Sequence, residues 1–273
     1  MSAKTVSWAL FAAMAVGGIL LLNYWASYQL LSTLAYSGVV AALLGLANLV
    51  VPFRFMGIRR RIVGALGLAA GVALFLAALL WPAPIIRVAQ PRTRLDRVMP
   101  EYQFSERHAT RAHARPEALI KAVRESTFSD MKSLGTLLRI RAAAVRDPAL
   151  GDELRERRVL DAFASSGYLL DAGEREVVMF GAVNARERRR PDVRTAQQFV
   201  DYHEQGGVKM AFDFRAEDEG GGWSTISTET RVVATDPATR SGMGRYWRLI
   251  VPGSGLLRRQ WLDGIKRRAE TQP

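Results

Sequence analysis

Cysteine does not occur among the 273 residues, so disulfides, thiolate metal sites and cysteine nucleophiles are excluded together. Acidic residues are almost missing from the first third, where Asp96 is the single acid before residue 98 against nine lysines and arginines. Histidine is scarce as well: His108, His113 and His203 are isolated in sequence, and none stands at a metal-ligand spacing from another ligand type. No ionisable side chain interrupts the interior of the three long apolar runs that fill residues 6–81, whereas pumps and channels place such groups on their pathways. The block therefore reads as an anchor rather than a conduit. No catalytic motif, metal site or cofactor fingerprint is present along the chain.

The net charge of +12 invites a nucleic-acid reading, but its distribution argues otherwise. Residues 1–97 carry +8 of it and residues 98–273 only +4. Basic residues beside apolar runs follow from membrane topology and from attraction to anionic headgroups, so no nucleic-acid partner is expected.

Each apolar run is long enough to cross about 30 Å of hydrocarbon at about 1.5 Å per residue. Val6 to Ala26 is the first, retained as an anchor rather than cleaved as a signal peptide because further runs follow it at once. Tyr24, Trp25 and Tyr28 cluster at its exit, where interfacial aromatics sit. The tight turn near Ser27 returns the second run, Leu30 to Val51, antiparallel to the first. A short loop with Arg54, Arg59, Arg60 and Arg61 and no acid follows, and the positive-inside rule places it in the cytoplasm. The third run, Ile62 to Trp81, then ends at Pro82 and Pro84 on the outer side. Arg87, Arg92, Arg94 and Arg97 pull the other way. Gly64, Gly67 and Gly71 on the third run allow close approach of another helix, in the first instance within the bundle.

The expected organisation is a three-helix anchor over 1–82, a Pro/Arg-rich extended linker over 83–100 lying along the headgroups, and a globular domain over 101–273. In that domain Tyr102 to Ala114 tolerates a strand, and Pro116 opens a helix at a favoured first position. Further helices are expected over Ser129 to Val145 and Glu153 to Ala164. Tyr168 to Leu170 and Glu176 to Val183 form a hairpin around Gly173. Arg186 to Arg190 is a basic loop, and Thr195 to His203 a short helix. Val208, Met210, Phe212 and Phe214 alternate with polar residues, which gives a strand with one apolar face. It pairs through the turn at 218–222 with a β-branched strand from Trp223 to Thr235. Asp236-Pro237 then starts a long helix. Its apolar face carries Met243, Trp247, Ile250, Leu257, Trp261 and Ile265. Arg245, Arg248, Arg258 and Arg259 lie on the face expected to be solvated, and Pro252 is expected to kink or break the helix.

Strand, helices, antiparallel hairpins and a long C-terminal amphipathic helix, in that order, make an α+β domain. It resembles the helix-grip fold of the START-like superfamily, also called SRPBCC. Residues 102–270 carry the resemblance, most clearly Thr228 to Val232 and Arg245 to Ile250, a stretch similar to bacterial members of the superfamily with no assigned function. The resemblance implies a curved antiparallel sheet around the helix with an apolar cavity between them. Met210, Phe212, Phe214, Tyr246, Trp247 and Ile250 are then candidate wall residues, the alternative being that they fill a core. Glu229 and Arg231 share a strand face, as an ordinary ion pair.

Three functions compete. The first is a multi-pass protein of the plasma (inner) membrane whose extracytoplasmic domain binds a lipid or other apolar small molecule. The second is a cyclase- or hydrolase-like enzyme using the same cavity. The third is a membrane-tethered protein-interaction module. A desolvated inward-facing carboxylate or histidine favours the enzyme, and a continuous apolar cavity favours the binder. A filled core with an exposed apolar patch favours the interaction module. The oligomeric state and the identity of the ligand stay open.

Overall fold

A computed structural model describes residues 17–18, 29–53, 60–131 and 155–271, and the chain divides into two compact units. The first expected crossing, most of the arginine loop and most of the helix expected over Ser129 to Val145 lie outside the described residues.

One unit joins the apolar helices to the segment Gly244–Gly253. Helix α1 (Leu30–Val50) and helix α2 (Arg61–Leu80) have mean hydropathies of 1.9 and 2.5, and both are long and apolar enough to cross a membrane. Two such helices are therefore described where three were expected. Their contacts run antiparallel, Gly38 against Gly71 and Gly45 against Gly64. A Cβ on Gly38 would fall 2.6 Å from the Phe75 amide nitrogen, so the two backbones touch where side chains are missing. Gly67 lends its backbone to this seam, but its own Cβ would point aside and meet only the Gly45 Cα at 3.5 Å. Polarity is arranged inside out: Ser32, Thr33 and Asn48 are buried, while Leu43, Leu46, Ile62, Val63 and Leu66 are exposed. A helix pair in water has the opposite arrangement.

The second unit is built on a five-stranded, wholly antiparallel sheet. A short hairpin of β1 (Ile86–Arg87) and β2 (Glu101–Tyr102) encloses helix α3 (Arg94–Val98). Strand β3 (Phe104–Ala112), helix α4 (Pro116–Glu125), a 3-10 turn (Phe128–Asp130) and helix α5 (Val159–Ser165) follow. Then come β4 (Leu169–Ala172), β5 (Glu176–Asn184), helix α6 (Ala196–Asp201), β6 (Gly207–Gly220), β7 (Trp223–Ala234) and helix α7 (Pro237–Thr271). The strand order is β3-β7-β6-β5-β4. Gly221 and Gly222, at φ of 63° and 80°, close the β6–β7 turn in a backbone conformation that side chains rarely adopt.

Strand alternation splits the residues between two covered faces. On one, Val177, Met179, Phe212, Phe214, Ala216 and Ile226 pack with Leu119 and Val123 of α4, Val159 of α5, and Trp261, Leu262 and Ile265 of α7. On the other, Val178, Phe180, Ala182 and Ala211 pack with Leu95, Val98, Met99, Phe199 and Tyr202.

Two expectations change. The stretch 83–100 is not an extended connector, because it contains α3 and buries Leu95, Val98 and Met99 in the sheet's second core. Its local cause is a capping box: the Thr93 hydroxyl accepts from the Asp96 amide, and the Asp96 carboxylate accepts from the Thr93 amide. The Glu176 carboxylate accepts from the next two free amides, Arg94 and Leu95. In turn, α7 runs unbroken for 35 residues through Pro252. Proline removes one hydrogen bond there, and the helix continues on both sides of it.

Candidate functional site

The alternation of β3 places Phe104, Glu106, His108 and Ala112 on the face that looks toward α7. Pairing with β7 sets Glu106 opposite Thr230 and His108 opposite Thr228, and Thr230 in turn lies opposite Phe212 of β6. A polar row thus continues the aromatic core across the same face.

Two residues apart on one strand, Glu106 and His108 lean together: Glu106 Oε1 lies 2.7 Å from His108 Nε2, and their side chains are 0% and 2% exposed. The other carboxylate oxygen, Oε2, is buried without a hydrogen-bond partner among the described residues, and so is the Thr230 hydroxyl opposite it. Orphaned polar atoms in such a place call for a water, a proton or a ligand. Across from them Arg258 of α7 lays its guanidinium 4.4 Å over the Phe212 ring and 5.5 Å from that of Trp261. Its Nη1 points at the Thr228 hydroxyl at 3.4 Å. Arg258 forms no ion pair among the described residues. Burial pushes its guanidinium down to about 10, against the pull of Glu106, Asp213 and Tyr168. Phe163, Tyr168, Phe212, Phe214 and Trp261 form the aromatic wall, with Trp261 Nε1 donating to Ser126 Oγ at 2.8 Å. Burial also raises the Tyr168 hydroxyl, partly offset by Arg190 and Arg258.

Chemically the arrangement offers a hydrogen-bonded carboxylate–imidazole couple that can exchange a proton, and a cation free to receive an anionic or carbonyl oxygen. No group of three His, Asp or Glu side chains converges among the described residues in a way that could hold a metal ion.

The wall residues expected from sequence fall in two places. Phe212 and Phe214 are buried in the first core, and Met210 is half-buried one row along the same strand face. Tyr246, Trp247 and Ile250 belong to the unit of the apolar helices, where Trp247 is buried and the other two are exposed. The six are divided between the two units. Three residues of the site escaped the sequence reading. His108 is bonded to Glu106 rather than isolated, and Arg258 is tucked over two aromatic rings rather than solvated. The signal for the pair was the even-numbered run Phe104, Glu106, His108, Thr110, Ala112, in which the apolar ends mark the buried face.

On the opposite face most of the charged groups are paired, Asp213 being the exception, with the Glu229 amide as its partner. Arg231 is buried and bonds Asp96 at 2.8 Å, Glu229 at 2.6 Å and the Met99 carbonyl at 3.1 Å, so this pair is a buried clamp on α3 and not a surface one. A cavity of about 230 Å³ on that face is lined by Val98, His203 and, at its wall, Lys209. Its ammonium group already donates to the Val200 carbonyl at 2.8 Å at the end of α6.

No protein-family model, curated protein or solved structure matches the chain.

Proposed function

We propose that the chain is a multi-pass plasma (inner) membrane protein whose extracytoplasmic domain, of START-like helix-grip type, binds an amphipathic lipid or similar apolar ligand between sheet and C-terminal helix. Val6 to Ala26 supplies a further crossing in this reading. One observation carries it: the helix-facing side of the sheet joins an aromatic cluster to buried Glu106 and Thr230, each with an oxygen unpartnered among the described residues, and to the half-buried guanidinium of Arg258. The aromatic half suits a hydrocarbon or ring body, and the polar half a headgroup oxygen. Two apolar helices of spanning length in the same chain keep such a ligand at hand.

A second reading, a cyclase- or hydrolase-like enzyme, is favoured by the 2.7 Å contact between Glu106 and His108, since a buried carboxylate–imidazole couple is a general acid–base pair in waiting. The test for both is native mass spectrometry with lipid extraction on the full chain in nanodiscs of defined lipid. A bound molecule that is retained by wild type and lost in Arg258→Met supports binding. A change in the chemical identity of that molecule between wild type and Glu106→Gln supports the enzyme. A clean apo mass after exposure to a lipid mixture, in both proteins, overturns the two together and leaves the interaction module.

A further inference from the structure

The middle of α7 carries an unusual distribution of side chains. Tyr246, Leu249 and Ile250 are 54%, 48% and 37% exposed. At about 100° per residue they form one face with Gly242 and Gly253, and no charged residue lies within it. The opposite face is buried: Gly244, Trp247, Arg248 and Val251. A helix surface facing water should be polar on its exposed side.

Hydrogen bonds tie this segment to one end of the helix pair. Trp247 Nε1 donates to Oε1 of Gln29, the residue that caps the start of α1, at 2.9 Å. Arg248 donates to the carbonyls of Leu79 and Trp81 at the end of α2, the first at 2.6 Å. The Tyr36 hydroxyl, two turns into α1, donates to the Leu249 carbonyl at 2.5 Å. Because α1 and α2 run antiparallel, the start of one and the end of the other mark the same membrane boundary. Arg248 thereby satisfies carbonyls that a helix terminus leaves free, and burial lowers its pKa.

We infer that residues 242–253 form an interfacial element that lies at the boundary of the bilayer, with Tyr246, Leu249 and Ile250 immersed among acyl chains and Trp81 beside them in the aromatic belt. The occupant of this apolar face is the lipid surface, for two reasons: it is continuous with helices whose own exposed residues are apolar, and its aromatic and arginine flanks are those of an interfacial helix. This inference rests on the membrane reading of α1 and α2.

The absence of cysteine makes the test direct. Leu249→Cys, Ile250→Cys, Leu43→Cys in the middle of α1 and Glu217→Cys on the exposed end of β6 are each spin-labelled in the full chain. The proteins are reconstituted into phosphatidylcholine–phosphatidylglycerol vesicles, and collision with oxygen and with a water-soluble nickel chelate is read by power-saturation electron paramagnetic resonance. The inference expects labels at 249 and 250 to collide more with oxygen than with nickel, less strongly than at 43 and opposite to 217. Nickel accessibility at 249 and 250 matching that at 217, with 43 in lipid, overturns the inference and leaves the anchor standing. Protection from both reagents overturns it in favour of a protein cover, such as residues 1–28 or a second copy. A label at 43 open to nickel sinks the membrane reading itself.

Discussion

Asp213 gives the sharpest test of how this sheet is held. It lies on β6, 4% exposed, and its carboxylate accepts the Glu229 amide at 2.6 Å where the β6–β7 ladder skips two pairs, while the Thr228 hydroxyl donates to the Asp213 carbonyl. Burial is the largest influence on it. Glu176 and Glu229 add repulsion, the Glu229 amide and Arg215 oppose it, and the carboxyl is pushed from 3.8 up to about 7. The sign follows from linkage: a carboxyl raised in the folded state binds its proton more tightly there than in the unfolded chain. Its stabilising contribution is complete below about pH 4 and is lost as pH rises through about 7. Three units at about 1.4 kcal/mol each set a ceiling of about 4 kcal/mol on that loss. Asp213→Asn keeps the acceptor for the Glu229 amide but cannot ionise. Thermal unfolding of the full chain in non-ionic detergent, followed by tryptophan fluorescence, should show variant and wild type alike near pH 4.5. The variant should gain progressively toward pH 8, by several degrees at about 3 °C per kcal/mol for a domain of this size. A difference that does not change across that window, or an Asn variant less stable at pH 8, would refute the reasoning. Asp213→Ala, which loses the acceptor, should be destabilised at every pH.

In the helix pair, Gly71→Ala drives a methyl into the backbone of Ala42 and should lower the unfolding midpoint in detergent by the equivalent of about 2 kcal/mol, whereas Gly67→Ala meets only ordinary contacts and should be neutral. Arg231→Met strands Asp96 and Glu229 in the sheet's second core. It should cost about 3–5 kcal/mol by chemical denaturation, while Arg194→Met, which breaks a fully exposed pair with Asp192, should leave the denaturation midpoint unchanged. The α7 start depends on Asp236, whose carboxylate accepts from the Thr239 hydroxyl and from the amides of Ala238, Thr239 and Gly206, and is held down at about 2 chiefly by Thr239. Asp236→Ala should lower the melting temperature at neutral pH by the equivalent of about 1–2 kcal/mol. The deficit should shrink as pH falls through about 4 toward 2, where wild type loses the same contribution.

Much of the architecture was legible because it is locally determined. Val208, Met210, Phe212 and Phe214 alternate cleanly, three glycines close the β6–β7 turn, and Asp236-Pro237 opens α7 by its own hydrogen bonds. The linker was misread because proline and arginine content signals exposure only when nothing caps the segment. Here the partners that fold α3 include Glu176, 82 residues after Arg94. Arg258 was misread for a related reason: helical periodicity puts it near the polar stripe, but a long side chain can bend its guanidinium back over Phe212. The wall candidates Tyr246, Trp247 and Ile250 share a helix face pattern with Trp261 and Ile265, and periodicity cannot tell which neighbour each part of a long helix will meet.

What separates scaffold from site in this sheet is whether each buried polar atom is used. The second face carries more charge than the first, yet Arg231, Asp96, Glu176 and Lys209 all have their partners, so that face spends its polarity on holding α3 and α6 in place. On the helix-facing side, among the described residues, Glu106 keeps one oxygen and Thr230 its hydroxyl without a partner, and Arg258 has no carboxylate within ion-pair distance, although all three stand beside a well-packed aromatic cluster. A sheet selected for stability alone would fill those positions with apolar side chains, which at buried ion pairs is often neutral or better. Unfilled polar capacity next to a filled core is costly to keep unless something else completes it. The proposed amphipathic ligand, or the proton transfer of the second reading, would supply that completion, and both proposals locate it at Glu106 and Arg258 rather than at the aromatic residues.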